Sequence, residues 1–165
     1  MSDLVKRLLA ITLLRLGPQD LPAGVTVMLT CLGLYLFITG LSLSVSQPPD
    51  NVVLVMALAV AVPLMLSRII LVAASKVARW PQTVSALFGT SAVLSALSVP
   101  FGLASDDQGS TVGGLFLVVL FFWSLAVNGH VWRHALDTSF GAGMAVSVAS
   151  FAATLFAINA LTGSL

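Results

Sequence analysis

Five long stretches of this chain carry almost no polar side chain, and short polar clusters separate them. The stretches are 23–45, 52–75, 84–104, 112 to about 132, and 139–161. About 20 residues at 1.5 Å rise match a hydrocarbon core of roughly 30 Å, so each is long enough to span a bilayer as a helix. The second stretch is interrupted by Pro63 and Arg68, and the third carries Pro100 near its far end. Proline removes one backbone donor, so a kink is expected at Pro63. Arg68 lies close enough to the end of its stretch to snorkel to the interface.

The first sixteen residues differ. Asp3, Lys6, Arg7 and Arg15 stand among leucines. The apolar part is short and interrupted, with no small-x-small site after it, which does not read as a signal peptide. It reads as an amphipathic helix over 1–16 on the membrane surface, with Leu8 and Leu9 in lipid. Gly17, Pro18 and Pro22 end it. Asp20 is expected to cap the first span, with Pro22 in its first turn.

The fold class that follows is all-α: a polytopic membrane helical bundle of five transmembrane helices plus an N-terminal interfacial amphipathic helix, forming a single integral membrane domain over residues 1–165. Composition agrees. Of 165 residues, 58% are hydrophobic and 8% charged, where a soluble domain carries about 25% charged residues. Mean hydropathy is +1.07. A net charge of +1 on scattered basic residues argues against nucleic acid as a partner. Cys31 stands alone in an apolar run, which rules out an intrachain disulfide.

Charge gives the expected orientation. Lys6, Arg7 and Arg15 precede span one. Arg68, Lys76 and Arg79 surround the second turn, and Arg133 lies between spans four and five. The alternate loops hold Asp50, Asp106 and Asp107 and no basic residue. All seven cations on one side is a positive-inside pattern. It places the N-terminus in the cytosol and the C-terminus on the far side, the periplasm if the membrane is a bacterial inner membrane.

Two features suggest how the helices work. Gly141, Ala145, Ala149, Ala153 and Ala157 repeat every four residues and form a small-residue groove for close helix packing, with either another helix of this chain or another molecule. Span three shows a weaker version in Ser85 with Gly89 and Ala92 with Ala96. The second feature is Trp123–Asp137, read as a membrane-surface turn. His130, Arg133, His134 and Asp137 share one helical face through offsets of three, four and seven. The histidine pair has metal-ligand spacing, but no second shell accompanies it, and no metal or other cofactor is assigned. Asp137 is better placed as the cap of the fifth span, and Arg133 lies within pairing reach of it. The favoured role is a headgroup-contacting interface; a protein-docking or pH-sensitive surface is the other reading. Together with Arg68, Lys76, Arg79 and Trp80, an aromatic anchor, these residues form the expected cytosolic interface.

Residues 13–22 (LLRLGPQDLP) and 121–136 (FFWSLAVNGHVWRHAL) resemble small proteobacterial inner-membrane proteins. The five-span layout, cytosolic N-terminus and small-residue helices resemble the Yip1 domain family. That resemblance implies a non-enzymatic membrane-organising role and supplies no catalytic residue. Eukaryotic Yip1 relatives carry a longer soluble N-terminal segment and engage small GTPases; this sequence lacks a counterpart, so that partnership is not implied.

The chemistry inventory is short. There is no glutamate, phosphate loop, nucleophile elbow or zinc-protease helix, and no paired acid and base for an enzyme. The expected function is a non-enzymatic membrane-organising or complex-stabilising subunit that acts through helix packing and its cytosolic basic face, with the lipid bilayer and a membrane-protein partner or second copy as its contacts. The alternative is a small transporter or channel component, in which Pro63 and Pro100 break helices to expose carbonyls and Arg68 attracts an anion. The interior separates the two. A hydrated cavity lined by polar groups near the midplane favours transport, and a dry, alanine-packed interior favours the subunit.

Overall fold

The computed structural model describes residues 2–45, 51–103 and 111–163. They form α1 (Ser2–Thr12), a 3₁₀ turn (Pro18–Asp20), α2 (Val25–Val45), α3 (Val52–Ala73), a second 3₁₀ turn (Val77–Arg79), α4 (Trp80–Leu103), α5 (Thr111–Leu136) and α6 (Phe140–Thr162). No strand occurs among the described residues. Five helices, α2 to α6, are long and apolar enough to cross a membrane. Asp50, Asp106 and Asp107, with the turns around them, lie outside the described residues.

The helix boundaries shift where polar residues turn out to be helical. α4 starts at Trp80 rather than 84, with Pro81 in its first turn, where a missing N–H costs nothing. α5 runs on to Leu136. Trp123–Asp137 is therefore the last turns of a helix, and the connection to α6 is only Asp137–Ser139. α3 and α4 run unbroken through Pro63 and Pro100, so neither proline divides its helix.

α4 is the centre of the bundle. In its span 44% of residues are buried, against 6–17% in the other four, whose outer faces carry large apolar side chains such as Phe37, Val53, Phe122 and Phe156. Small side chains on α4 make this possible: Ser85, Ala86, Gly89 and Ala92 are all buried. A Cβ at Gly89 would lie 2.5 Å from Leu8 Cδ2 and 3.2 Å from Cys31 Sγ, so α1 and α2 both press on that glycine. The weaker small-residue pattern read in span three thus holds the core, although Ala96 faces outward.

α1 corrects an expectation. Leu8 is 1% exposed and packs with Ile11, Leu21, Cys31, Ala86 and Val131; it faces the protein interior, not lipid. Leu9 is exposed. The reason is the cavity that Gly89 leaves on α4, which a leucine fills.

α6 packs on α5 and α3, and the contact face is not the expected stripe. Gly143 and Ser147 are buried, whereas Gly141, Ala145, Ala149 and Ala153 are exposed and Ala157 is half-buried. A Cβ at Gly143 would come within 2.8 Å of the Arg133 backbone nitrogen and closer still to the Gly129 carbonyl. Backbone meets backbone there, two positions along from the stripe.

Candidate functional site

The basic end is built from helix endings. α1, α3 and α5 all finish with the same backbone bond. Arg15, Lys76 and Thr138 donate five residues back to Ala10, Leu71 and Arg133 at 2.9, 2.7 and 3.0 Å. Each ending places a non-glycine residue in the left-handed region: Leu14 (φ 60°), Ser75 (φ 58°) and Asp137 (φ 52°). Glycine is usual at that position because a side chain costs about 1–2 kcal/mol there.

At the end of α5 the cost is met by charge. The last carbonyls of a helix lack intrahelical donors and carry the negative end of its dipole. Arg79 Nη1 donates to the carbonyls of His134 and Ala135 at 3.1 and 3.3 Å. Lys76 Nζ donates to the Leu136 carbonyl at 2.6 Å. Both cations also reach Asp137 Oδ2, at 2.9 and 2.6 Å. The hydrogen bonds from Arg79 and then Lys76 hold the Asp137 carboxyl down to about 2. Asp137 is therefore not the cap of α6. Ser139 is, its side chain accepting from the Ala142 N–H at 3.3 Å. Nor does Asp137 pair with Arg133, which is exposed; its ion pairs run to the turn between α3 and α4.

The N-terminal segment is tied to the same end. Trp123 Nε1 donates to the Thr12 carbonyl at 3.1 Å, Arg7 donates to the Asp20 carbonyl, and Gln82 Nε2 donates to the Leu21 carbonyl at 2.9 Å. His130, expected at a surface, is 7% exposed. Its Nε2 lies 3.0 Å from the Leu16 carbonyl; a carbonyl only accepts, so Nε2 carries the proton. The His134 ring stands 4.5 Å away, edge to face. Asp20 caps no long helix. Its carboxylate accepts from the Gly17 N–H at 2.8 Å inside the first 3₁₀ turn, because Pro22 to Gly24 separate it from α2. Trp80 spends its indole N–H on Ser67 Oγ at 3.0 Å, and Arg68 lies over its ring at 5.2 Å.

The structure thus gathers Arg79, His134 and Asp137 around one cleft of ≈ 230 Å³ with Gln19 and Gln82, and Lys76 joins them through its ion pair with Asp137. Arg68 and Trp80 form a second pair beside it, and Arg133 stays apart on the surface. Their bonds lead to α5's own carbonyls, so the arrangement is a clamp joining the α3–α4 turn to the α5–α6 turn. Among the described residues no group of three metal-ligating side chains comes together.

A second cavity, of ≈ 260 Å³, lies deeper. All five spans contribute to it: Tyr35 from α2, Ala59 and Pro63 from α3, Phe88 and Ser91 from α4, Asn128 and Trp132 from α5, and Ser147, Ser150, Phe151 and Thr154 from α6. Tyr35 stands ten residues into α2 and Pro63 ten before the end of α3, about 15 Å from the basic end. Trp132, four residues before the end of α5, also lines it, so the cavity reaches from about 6 Å from the basic end to mid-depth of a core of about 30 Å.

The lining is mainly apolar, with a polar part that three indicators mark. The Asn128 amide, the hydroxyls of Ser91 and Ser150 and the Trp132 indole N–H have no hydrogen-bond partner among the described residues. Trp132 is only 2% exposed, yet its Nε1 is not fully buried, since Thr39 Oγ1 is the one fully buried side-chain polar atom without a partner among the described residues. Pro63 has no N–H to give the Ala59 carbonyl one turn earlier, and both residues line the space. Other polar groups are spent locally: Ser147 Oγ donates to the Leu125 carbonyl at 3.1 Å and Thr154 Oγ1 to the Ser150 carbonyl at 2.8 Å. Sequence reasoning did not assemble this site. Its one local signal was an amide, Asn128, inside an otherwise apolar run. The chain matches no family model, no curated protein and no solved structure.

Proposed function

We propose that this chain is a membrane protein that binds a small solute in its central cavity, as a transporter or as the solute-binding component of one. The observation that carries the reading is the convergence of all five spans on one space with unpaired donors and acceptors. In a hydrocarbon surrounding, an unsatisfied polar group costs several kcal/mol. Four such side chains on the lining of one space make an arrangement that water or a ligand completes. An alanine-packed interior, as a simple subunit would have, offers no such groups. The reading assigns no catalytic residue, and the Yip1-like layout supplies none for this cavity. The basic end faces the cytosol of a bacterial inner membrane in this proposal, as the positive-inside rule directs.

The test is access. Ser150→Cys in a Cys31→Ala background is treated in membranes with a small neutral thiol reagent. A solute site reacts far faster than the buried Cys31 of the parent protein. Equal rates for the two thiols would refute the reading, whatever flux is seen in liposomes.

A second reading keeps the subunit role and rests on the outward face of α6. Gly141, Ala145, Ala149 and Ala153 are exposed and unused within the chain, leaving a smooth face for a helix of another protein or a second copy. Copurification in mild detergent that Ala149→Leu abolishes would support it.

A further inference from the structure

The chemistry of the cavity also restricts what enters it. Building on the solute-site reading, we infer that the cavity takes an uncharged, single-ring molecule that both donates and accepts hydrogen bonds, of the kind a neutral aromatic amide represents.

Size sets the first limit. A cavity of about 150 Å³ holds a benzene molecule, and drug-sized ligands occupy roughly 300–1,000 Å³. A space of ≈ 260 Å³ lies between these and fits one substituted ring. The walls agree, since Phe88, Trp132 and Phe151 bring aromatic side chains to the lining.

Charge sets the second limit. No lysine, arginine, histidine or carboxylate lines the cavity. An ion transferred there would lose its hydration with no countercharge to replace it, and the cost exceeds what neutral dipoles return. Arg68, the cation expected to draw an anion, sits over Trp80 outside the cavity.

Hydrogen bonding sets the third. The Trp132 N–H only donates, the Asn128 amide does both, the Ser91 and Ser150 hydroxyls do both, and the Ala59 carbonyl accepts. A lipid acyl chain would fill the volume and leave all of these unpaired. A molecule with a carbonyl and an N–H or O–H answers them, so the occupant is polar at one edge and apolar at the other.

The experiment uses an isosteric series on the whole protein in nanodiscs: benzamide, benzoate and benzylammonium, which share a ring and differ in charge. The readout is the indole N–H resonance of Trp132, assigned with Trp132→Phe, with Trp80 and Trp123 as internal controls. The expected result is a saturable shift of Trp132 alone with benzamide, and binding of both charged isosteres weaker by about ten-fold or more. Asn128→Leu removes the benzamide shift. Ser150→Ala, a milder change, weakens it and serves if the leucine variant does not fold. Equal binding of the three probes overturns the charge rule while leaving a solute site standing. No shift with any probe, coupled with a Trp132 resonance that follows the acyl chains supplied, makes the cavity a lipid pocket and overturns both readings.

Discussion

Replacing Gly143 by alanine adds one methyl group, and its cost can be worked from the α5–α6 contact. The new Cβ would stand 2.8 Å from the Arg133 backbone nitrogen and 3.2 Å from the Arg133 Cα, with the Gly129 carbonyl nearer still. Ordinary contact needs about 3.4 Å or more, so the two helices must part by roughly 0.6–1.2 Å. The obstructing atoms are backbone, and no side-chain rotation relieves them. A gap of that width forfeits about a quarter to a half of each dispersion contact along the seam, and overpacking of this kind costs about 1–3 kcal/mol. Alanine also favours helix over glycine by about 1 kcal/mol, which would blur a single measurement. Gly141→Ala removes that ambiguity. It makes the same change on the same helix, where an added Cβ meets nothing within 4 Å. The expected difference between the variants is about 2 kcal/mol, or about 4–8 °C in Tm, read by thermal unfolding in detergent. Equal melting temperatures would show that α6 does not pack as described. Gly141→Ala falling below Gly143→Ala would point to the outward stripe as the true contact.

Three further outcomes follow from the geometry. Asp137 has its carboxyl lowered from 3.8 to about 2, so its ionised form contributes stability above pH 3.8 that is lost as the pH falls toward 2; Asp137→Asn should flatten the melting temperature across that window, and parallel curves would count against the clamp. Ser75→Gly should raise stability by about 1 kcal/mol in denaturant unfolding, because it relieves a left-handed residue that is exposed and makes no side-chain contact the fold needs; an unchanged midpoint would mean the φ of 58° is not strained. Gly89→Ala and Leu8→Ala should each destabilise, yet the pair should lose less than their sum by about 0.5 kcal/mol or more, since the added methyl meets the Leu8 side chain; strict additivity would place α1 elsewhere.

What the sequence made legible depended on how local each signal is. Membrane spans are local: twenty apolar residues carry the same meaning whatever surrounds them, and all five helices appear where expected. Boundaries were harder where polar residues stay helical by bonding to something distant. His130 is buried at the end of α5 because the Leu16 carbonyl accepts a hydrogen bond from its ring, and no spacing within 121–136 announces Leu16. The stripe on α6 shows the same limit from the other side. Small residues at four-residue spacing describe a surface on which a helix can rest, without naming the helix that does. Gly143 mattered more than Gly141 because Gly129 and Arg133 lie opposite it, and that pairing is set by the α5–α6 turn. The cavity was least legible, because it draws one to four residues from each of five helices and becomes a site only when they are brought together.

The central place of α4 also fixes an order of events. α2 and α3 leave the ribosome first, yet α2 packs mainly on α4 rather than on its neighbour in the chain. Until the third span is made, Cys31 and Met28 have no glycine or valine to rest against, and Leu8 has no hollow to fill. The newborn chain must therefore hold two greasy rods apart in lipid while it waits for the keystone. A ribosome paused before residue 103 would display a protein whose opening segment is still undocked.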